Sequence, residues 1–271
     1  GIKMALRSPT VNVMAMAAEK AARALVRDFG EVEQLQVSRK GPADFVSTAD
    51  MKAEKTLVRE LQKARPNFGF LLEEQGEIAG VDPMNRWIID PLDGTTNFLH
   101  GLPHFAISIA LEYNKEIIAG VIYDPIRDEM FWSERGQGAY LNDKRLRVSG
   151  HDKLDDSLFA TGIPFKGVLE DGGHQLFVRQ LEQIMAVSSG VRRWGSAALD
   201  LAYIAAGRYD GYWENGLNPW DVAAGILMVR EAGGLVTDIA GRRYELGAAN
   251  ICASNDGVHQ QFRNLLRDAE A

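Results

Sequence analysis

At 271 residues, 46% of them hydrophobic and 25% charged, the chain can bury a full core and is long enough for two subdomains. Its net charge of −7 excludes a dominant nucleic-acid surface, which needs clustered lysine and arginine, and no stretch approaches the roughly twenty apolar residues of a membrane span. An anionic substrate would therefore need metal ions to hold it.

Val11, Met14, Ala18, Ala21, Leu25 and Phe29 recur at three and four residues, which predicts an amphipathic helix capped by Thr10 and stopped at Gly30. A second helix is expected after Asp50, with Ala53, Leu57, Leu61 and Ala64 on one face and Pro66 beyond its end. From Phe70 to Tyr140 the pattern shifts to short strands at Phe70 to Leu72, Trp87 to Ile89, Ala106 to Leu111, Ile117 to Tyr123 and Met130 to Trp132. The turns Tyr113-Asn114-Lys115, Asp124-Pro125 and Asn142-Asp143 suit an antiparallel meander.

Beyond about residue 150 strands and helices alternate. Strands are expected at Ser157 to Ala160, Val191 to Trp194, Asp210 to Trp213, Leu235 to Thr237 and Ile251 to Ala253. Helices are expected at Gln175 to Val187, Ser196 to Ala206 and Asp221 to Ala232, with a last one from Val258. The chain thus reads as mixed α+β and α/β, with residues 1–150 an α+β half built on an antiparallel sheet and residues 151–271 an α/β half. Neither an internal repeat nor a low-complexity linker separates the halves, so they are expected to pack closely. The single Cys252 cannot form an internal disulfide, and no charged region leads into an apolar leader, so a reducing, cytoplasmic setting is expected.

Chemistry is suggested by scattered carboxylates: Glu73-Glu74, then Asp90-Pro91-Leu92-Asp93-Gly94-Thr95, and far downstream Trp220-Asp221. Each acid closes an apolar stretch or opens a helix. Acids beside buried segments lose hydration and repel one another unless a cation compensates them, and all-oxygen ligands favour a hard metal, Mg²⁺ first. One loop can present Asp90, Asp93 and the Leu92 carbonyl, while the N–H groups of Gly94 and Thr95 form an anion cradle if they begin a helix. Bland readings stand beside these. Asp221 is a favoured helix cap, Asp90-Pro91 a common turn opener, Ser196 a plausible cap, and Glu214 a strand-end acid in an Asn/Gly-rich turn.

Taken in order, these motifs, with Gly233-Gly234 following Asp221 after eleven intervening residues, resemble the lithium-sensitive, Mg²⁺-dependent phosphatases typified by inositol monophosphatase, in their bacterial form. The segment Lys40 to Asp50 and the run Gly195-Ser196-Ala197-Ala198 are also similar to that family, and the resemblance covers nearly the whole chain. It implies a layered αβαβα sugar-phosphatase fold, a homodimer, and two or three Mg²⁺ per site. Glu73, Asp90 and the Leu92 carbonyl would hold one ion, and Asp90, Asp93 and Asp221 another. Glu73, and Thr95 acting with Asp50, would orient the attacking water. Substrate contacts would come from Asp93, Gly94, Thr95, Gly195, Ser196, Ala197, Glu214 and Asp221.

The activity implied is hydrolysis of inositol monophosphate to inositol and orthophosphate. Alternatives are another small phosphate ester (fructose 1,6-bisphosphate, a nucleoside 3′,5′-bisphosphate or histidinol phosphate) or a regulatory role beside RNA polymerase or ribosome assembly. Trp194, Tyr203 and Arg192-Arg193 are the contact residues such a role would use. One departure stands out: Gln75 follows the Glu pair where many relatives carry serine.

Overall fold

In the computed structural model, residues 6–32, 37–39, 45–164 and 172–271 are described; residues 40–44 of the Lys40 to Asp50 segment lie outside them. The first helix, α1 (Pro9–Gly30), is capped by Ser8 and not by Thr10: the Ser8 hydroxyl accepts the Val11 N–H at 3.2 Å, and Pro9 needs no partner in the first turn. A short antiparallel pair that the sequence did not announce, β1 (Val37–Arg39) and β2 (Phe45–Ser47), leads into α2 (Thr48–Ala64). Asp50 therefore lies buried inside the first turn of α2, not ahead of it.

Nine elements follow: β3 (Phe68–Leu72), β4 (Gly76–Ile78), β5 (Asp82–Asp93), α3 (Thr95–Leu99), β6 (Ala106–Tyr113), β7 (Glu116–Asp124), β8 (Glu129–Glu134), β9 (Gly138–Leu141) and β10 (Lys144–Arg145). Their eight strands form one sheet in the order β10-β9-β8-β7-β6-β5-β3-β4. The meander is antiparallel as expected, except that β3 and β5 run parallel. β4 returns the chain, so both strands leave the sheet at the same end. Pro91 does not stop β5 either. A register shift between Asp90 and Asp93 absorbs it, as bulges absorb proline elsewhere.

The second half holds β11 (Leu158–Thr161), α4 (Gly173–Met185), β12 (Gly190–Arg192), α5 (Ala197–Ala205), β13 (Gly211–Asn215), α6 (Pro219–Glu231), β14 (Leu235–Thr237), β15 (Asn250–Ser254) and α7 (His259–Asp268). Its strands form a mixed sheet, β12-β11-β13-β15-β14.

Alternation along the strands sets the layers. Trp87, Ile89, Ile107 and Ile109 point to α1 and α2, while Ile88, Ala106 and Ala110 point the other way, to α5 and α6. In the second sheet Tyr212, Ala160 and Ala253 face α5 and α6, and Phe159, Trp213 and Cys252 face α4 and α7. The order is helix, sheet, helix, sheet, helix, the αβαβα layering expected. The middle helices are apolar nearly all round, as the runs Ala197 to Ala205 and Val222 to Val229 require of segments buried between two sheets.

Candidate active site

Parallel pairing of β3 with β5 puts Leu72 opposite Ile89, so the next residues, Glu73 and Asp90, emerge side by side. Their carboxylates are in side-chain contact. β5 runs on to deliver Asp93, and α6, lying across β5 and β6, brings Asp221 from the second half. Oxygens of Asp90, Asp93 and Asp221 all lie within 4.8 Å of one another. Asp50, Glu73 and Glu74 form a second set by the same measure, and the Glu73–Asp90 contact joins the two.

Each acid is held from behind. Asp93 Oδ2 accepts from the Ser196 hydroxyl at 2.6 Å and the Ala198 N–H at 2.7 Å. Asp90 Oδ1 accepts from the Leu92 N–H at 3.2 Å, and the Leu92 carbonyl accepts from the Thr95 hydroxyl at 3.1 Å. Asp221 Oδ2 accepts from the Asn218 N–H at 2.9 Å, so this side chain closes the start of α6 with one oxygen, and the bland capping role coexists with membership of the cluster. Gly94 adopts φ +100°, and a Cβ there would come within 2.9 Å of the His104 carbonyl, so the loop needs glycine. Asn97 Nδ2 donates to the His104 and Trp194 carbonyls at 2.8 and 2.7 Å, which ties the motif loop to the Gly195 segment.

No lysine or arginine lies within salt-bridge distance of Glu73, Asp90, Asp93 or Asp221 among the described residues, and the buried Glu73 Oε2 has no donor. Burial pushes the Glu73 carboxyl up to about 7, partly offset by its contact with Asp90. Burial also raises Asp90, Asp93 and Asp221, and neighbouring acids reinforce the rise at Asp90 and Asp221, while bonds from Ser196 and Ala198 oppose it at Asp93. Such a set is stable as carboxylates only with compensating positive charge. All-oxygen donors without sulfur or imidazole suit a hard divalent ion, and the residues present fit Mg²⁺.

Near the end of β13, Glu214 accepts from the buried Tyr212 hydroxyl at 2.7 Å, and burial pushes its carboxyl up to about 7. A Cβ at Gly162 would fall 1.9 Å from Glu214 Oε1, so the carboxylate rests directly on that backbone. Ser196 is the N-cap of α5, accepting from the Leu199 N–H at 3.3 Å while donating to Asp93. Its hydroxyl is spent inside the protein, so it acts through Asp93. Gly195 (φ +89°) and Ala197 flank it.

Sequence reasoning missed two residues here. Asp200, 2% exposed and one helical turn beyond Ser196, has its carboxyl raised well above the usual range by burial, with the charges of Glu214 and Asp93 adding to the rise. Arg193, one of the contact residues named for a regulatory role, also projects its charge onto Asp93, Asp200 and Glu214. An acid four residues past a helix cap was the available signal for Asp200.

The family model for the inositol monophosphatase family matches residues 7–270. The inositol-1-monophosphatase of Mesorhizobium japonicum is 56% identical over 261 residues, covering 96% of this chain and 97% of that protein. The Nus factor SuhB of Escherichia coli is 43% identical over 260 residues, covering 96% of each chain. Among solved structures, the extragenic suppressor protein suhB of Bartonella henselae superposes with a TM-score of 0.92 at 57% identity, covering 96% of this chain and 99% of that one.

Proposed function

The chain belongs to the inositol monophosphatase family, and from that premise we propose that it is a Mg²⁺-dependent phosphatase that hydrolyses inositol monophosphate to inositol and orthophosphate. The observation that carries this reading is the meeting of two carboxylate sets at the Glu73–Asp90 contact, with Glu214 near enough for its charge to act on Asp221 and for Asp93 to act on it.

When bound, Mg²⁺ supplies the positive charge and Lewis acidity that the acids lack, with Glu73, Asp90, the Leu92 carbonyl, Asp93 and Asp221 as its holders. Asp93, tethered by Ser196 and Ala198, is fixed before substrate arrives. Glu73 Oε2, buried and without a donor, is the acceptor that orients an attacking water; Asp50 lies beside it, and Thr95 is the further residue assigned to that water. The water oxygen bonds to phosphorus as the bond from phosphorus to the ester oxygen breaks, and the proton the water gives up balances the one the departing alkoxide gains. Glu214, held by Tyr212, accepts hydrogen bonds from ring hydroxyls of the departing alcohol. No covalent enzyme intermediate is needed: Cys252 is buried facing α4 and α7, and burial pushes its thiol far up.

Buried acids at Glu214 and Asp200 disfavour a second phosphate on the alcohol, which ranks fructose 1,6-bisphosphate and nucleoside bisphosphates below a polyol monophosphate. A turnover screen across inositol, sugar and nucleotide phosphates, with and without Mg²⁺, tests this; turnover that ignores Mg²⁺, or a preference for bisphosphates, overturns it. Lithium, competing at a Mg²⁺ position, inhibits in this reading, and full activity at high millimolar lithium contradicts it. The expected state is a cytoplasmic homodimer of chains with subdomains 1–150 and 151–271; among the described residues no helix is long and apolar enough to cross a membrane.

A second reading, a regulatory role in transcription, is favoured by the 43% identity to a protein named Nus factor and by the exposed Trp194 beside Arg192 and Arg193. Pull-down with RNA polymerase and growth of an Asp93→Asn strain separate the two, since cellular function kept in an inactive variant favours the binding role.

A further inference from the structure

Two carboxylates of α2 face the end of β3. Asp50 and Glu54 are four residues apart and so share one side of the helix, and both are buried, at 1% and 2% exposure. Asp50 joins the Glu73–Glu74 set, whereas Glu54 grips the turn that follows. Glu54 Oε1 accepts from the Glu74 N–H at 3.2 Å, and Oε2 accepts from Gln75 Nε2 at 3.1 Å. Among the described residues Glu54 has no lysine or arginine at salt-bridge distance.

A buried carboxylate without a cation is costly, and a like charge four residues away on the same helix adds to the cost. A neutral side chain could accept the Glu74 N–H equally well, so the local fold does not call for the charge.

We propose that Glu54 is a positioning residue of the metal site: it clasps the Glu73-Glu74-Gln75 turn so that Glu73 reaches Asp90, and it adds one negative charge behind the ion. Gln75 is the other half of the clasp. This inference rests on the phosphatase reading. It also accounts for the amide that replaces the hydroxyl after the Glu pair, because the longer side chain reaches α2 and donates there. Outer residues that orient ligands in this way are conventionally worth about 10–100-fold in metal affinity or activity.

The test titrates metal-free protein with Mn²⁺, followed by the paramagnetic resonance of the free ion, beside Mg²⁺ activation kinetics and melting without metal. Glu54→Gln keeps an acceptor for the Glu74 N–H but loses the charge and turns an amide toward the amide of Gln75. Its Mn²⁺ dissociation constant and Mg²⁺ activation constant are expected to rise together by about 10–100-fold, while kcat at saturating Mg²⁺ changes far less and melting without metal is not lowered. Gln75→Leu gives a smaller rise, and the double variant falls short of the summed effects, because both changes break one clasp. Wild-type Mn²⁺ affinity in Glu54→Gln, strictly additive effects, or a loss of kcat and melting temperature with affinity intact each overturn the proposal. A wild-type protein that binds no Mn²⁺ removes the phosphatase reading and this inference together; normal binding by both proteins removes only the inference.

Discussion

Replacing Asp90 by asparagine should invert the stability order of two proteins when metal is added. Asp90 is 2% exposed, and its oxygens share a 4.8 Å neighbourhood with those of Asp93 and Asp221, beside Glu73. Two unit charges at that separation repel by roughly 3–4 kcal/mol at an effective dielectric constant near 20. Burial and the neighbouring acids already raise the Asp90 carboxyl, so part of this repulsion is relieved by proton uptake in the metal-free protein. Asparagine keeps an oxygen for the Leu92 N–H that Asp90 accepts at 3.2 Å. The net gain expected in EDTA is about 1–2 kcal/mol, or roughly 2–8 °C in melting temperature for a chain of this size.

Magnesium reverses the order. At about a hundred times its dissociation constant an ion stabilises the wild-type protein by about 2.7 kcal/mol, and a variant that has lost the Asp90 carboxylate receives little of it. Calorimetry of both proteins in EDTA and in Mg²⁺ reads the effect directly. An Asp90→Asn protein that melts below wild type in EDTA, or one that Mg²⁺ lifts as far as wild type, refutes the account of these acids as a cation-dependent cluster.

Asp93→Asn and Asp221→Asn should each lower turnover by at least ~10²-fold, the scale of removing one preorganised electrostatic group, with circular dichroism unchanged; near-normal turnover takes that residue out of the site. Glu214→Gln should cut kcat/KM for inositol 1-phosphate by about 10-fold or more, as loss of a charged hydrogen bond does, and leave an aryl phosphate little affected; equal losses on both contradict a ring-hydroxyl role. His259 lies between the Ser254 and Thr237 hydroxyls at 2.7 and 2.9 Å, and burial lowers its pKa from 6.5 to about 4. Below 6.5 the unfolded chain takes up a proton that the folded protein refuses, so stability falls as pH drops from there toward about 4. A His259 ring resonance that titrates near its ordinary value removes this source of acid sensitivity.

Most of the clustered acids were legible because they sit in short local motifs: Asp90 and Asp93 belong to one run at the end of β5. Layering was legible too, since the alternating strands and the all-apolar runs at Ala197 and Val222 leave each segment few places to bury. Register was not. Nothing in the runs Phe68 to Leu72 and Trp87 to Ile89 says that they pair in parallel, because sheet partners are chosen by packing across the whole sheet. Pro91 misled for a related reason, since a bulge against β6 tolerates the missing donor. Glu54 and Asp200 escaped notice because a lone acid on a helix ordinarily faces water. Only the assembled layers show that these two do not.

The shared helical layer bears on how this gene can be cut. α5 and α6 are encoded after residue 190, yet Ala198, Leu201 and Ala224 fill the same interior as Ile88, Ala110 and Ile122 from the first sheet. A polypeptide ending near residue 150 would leave that wall bare and lack Asp221, while the remainder would expose the face of α6 that lies on β5 to β8. Each fragment alone would leave a large apolar face open to water, so the two parts are expected to be stable only when folded together.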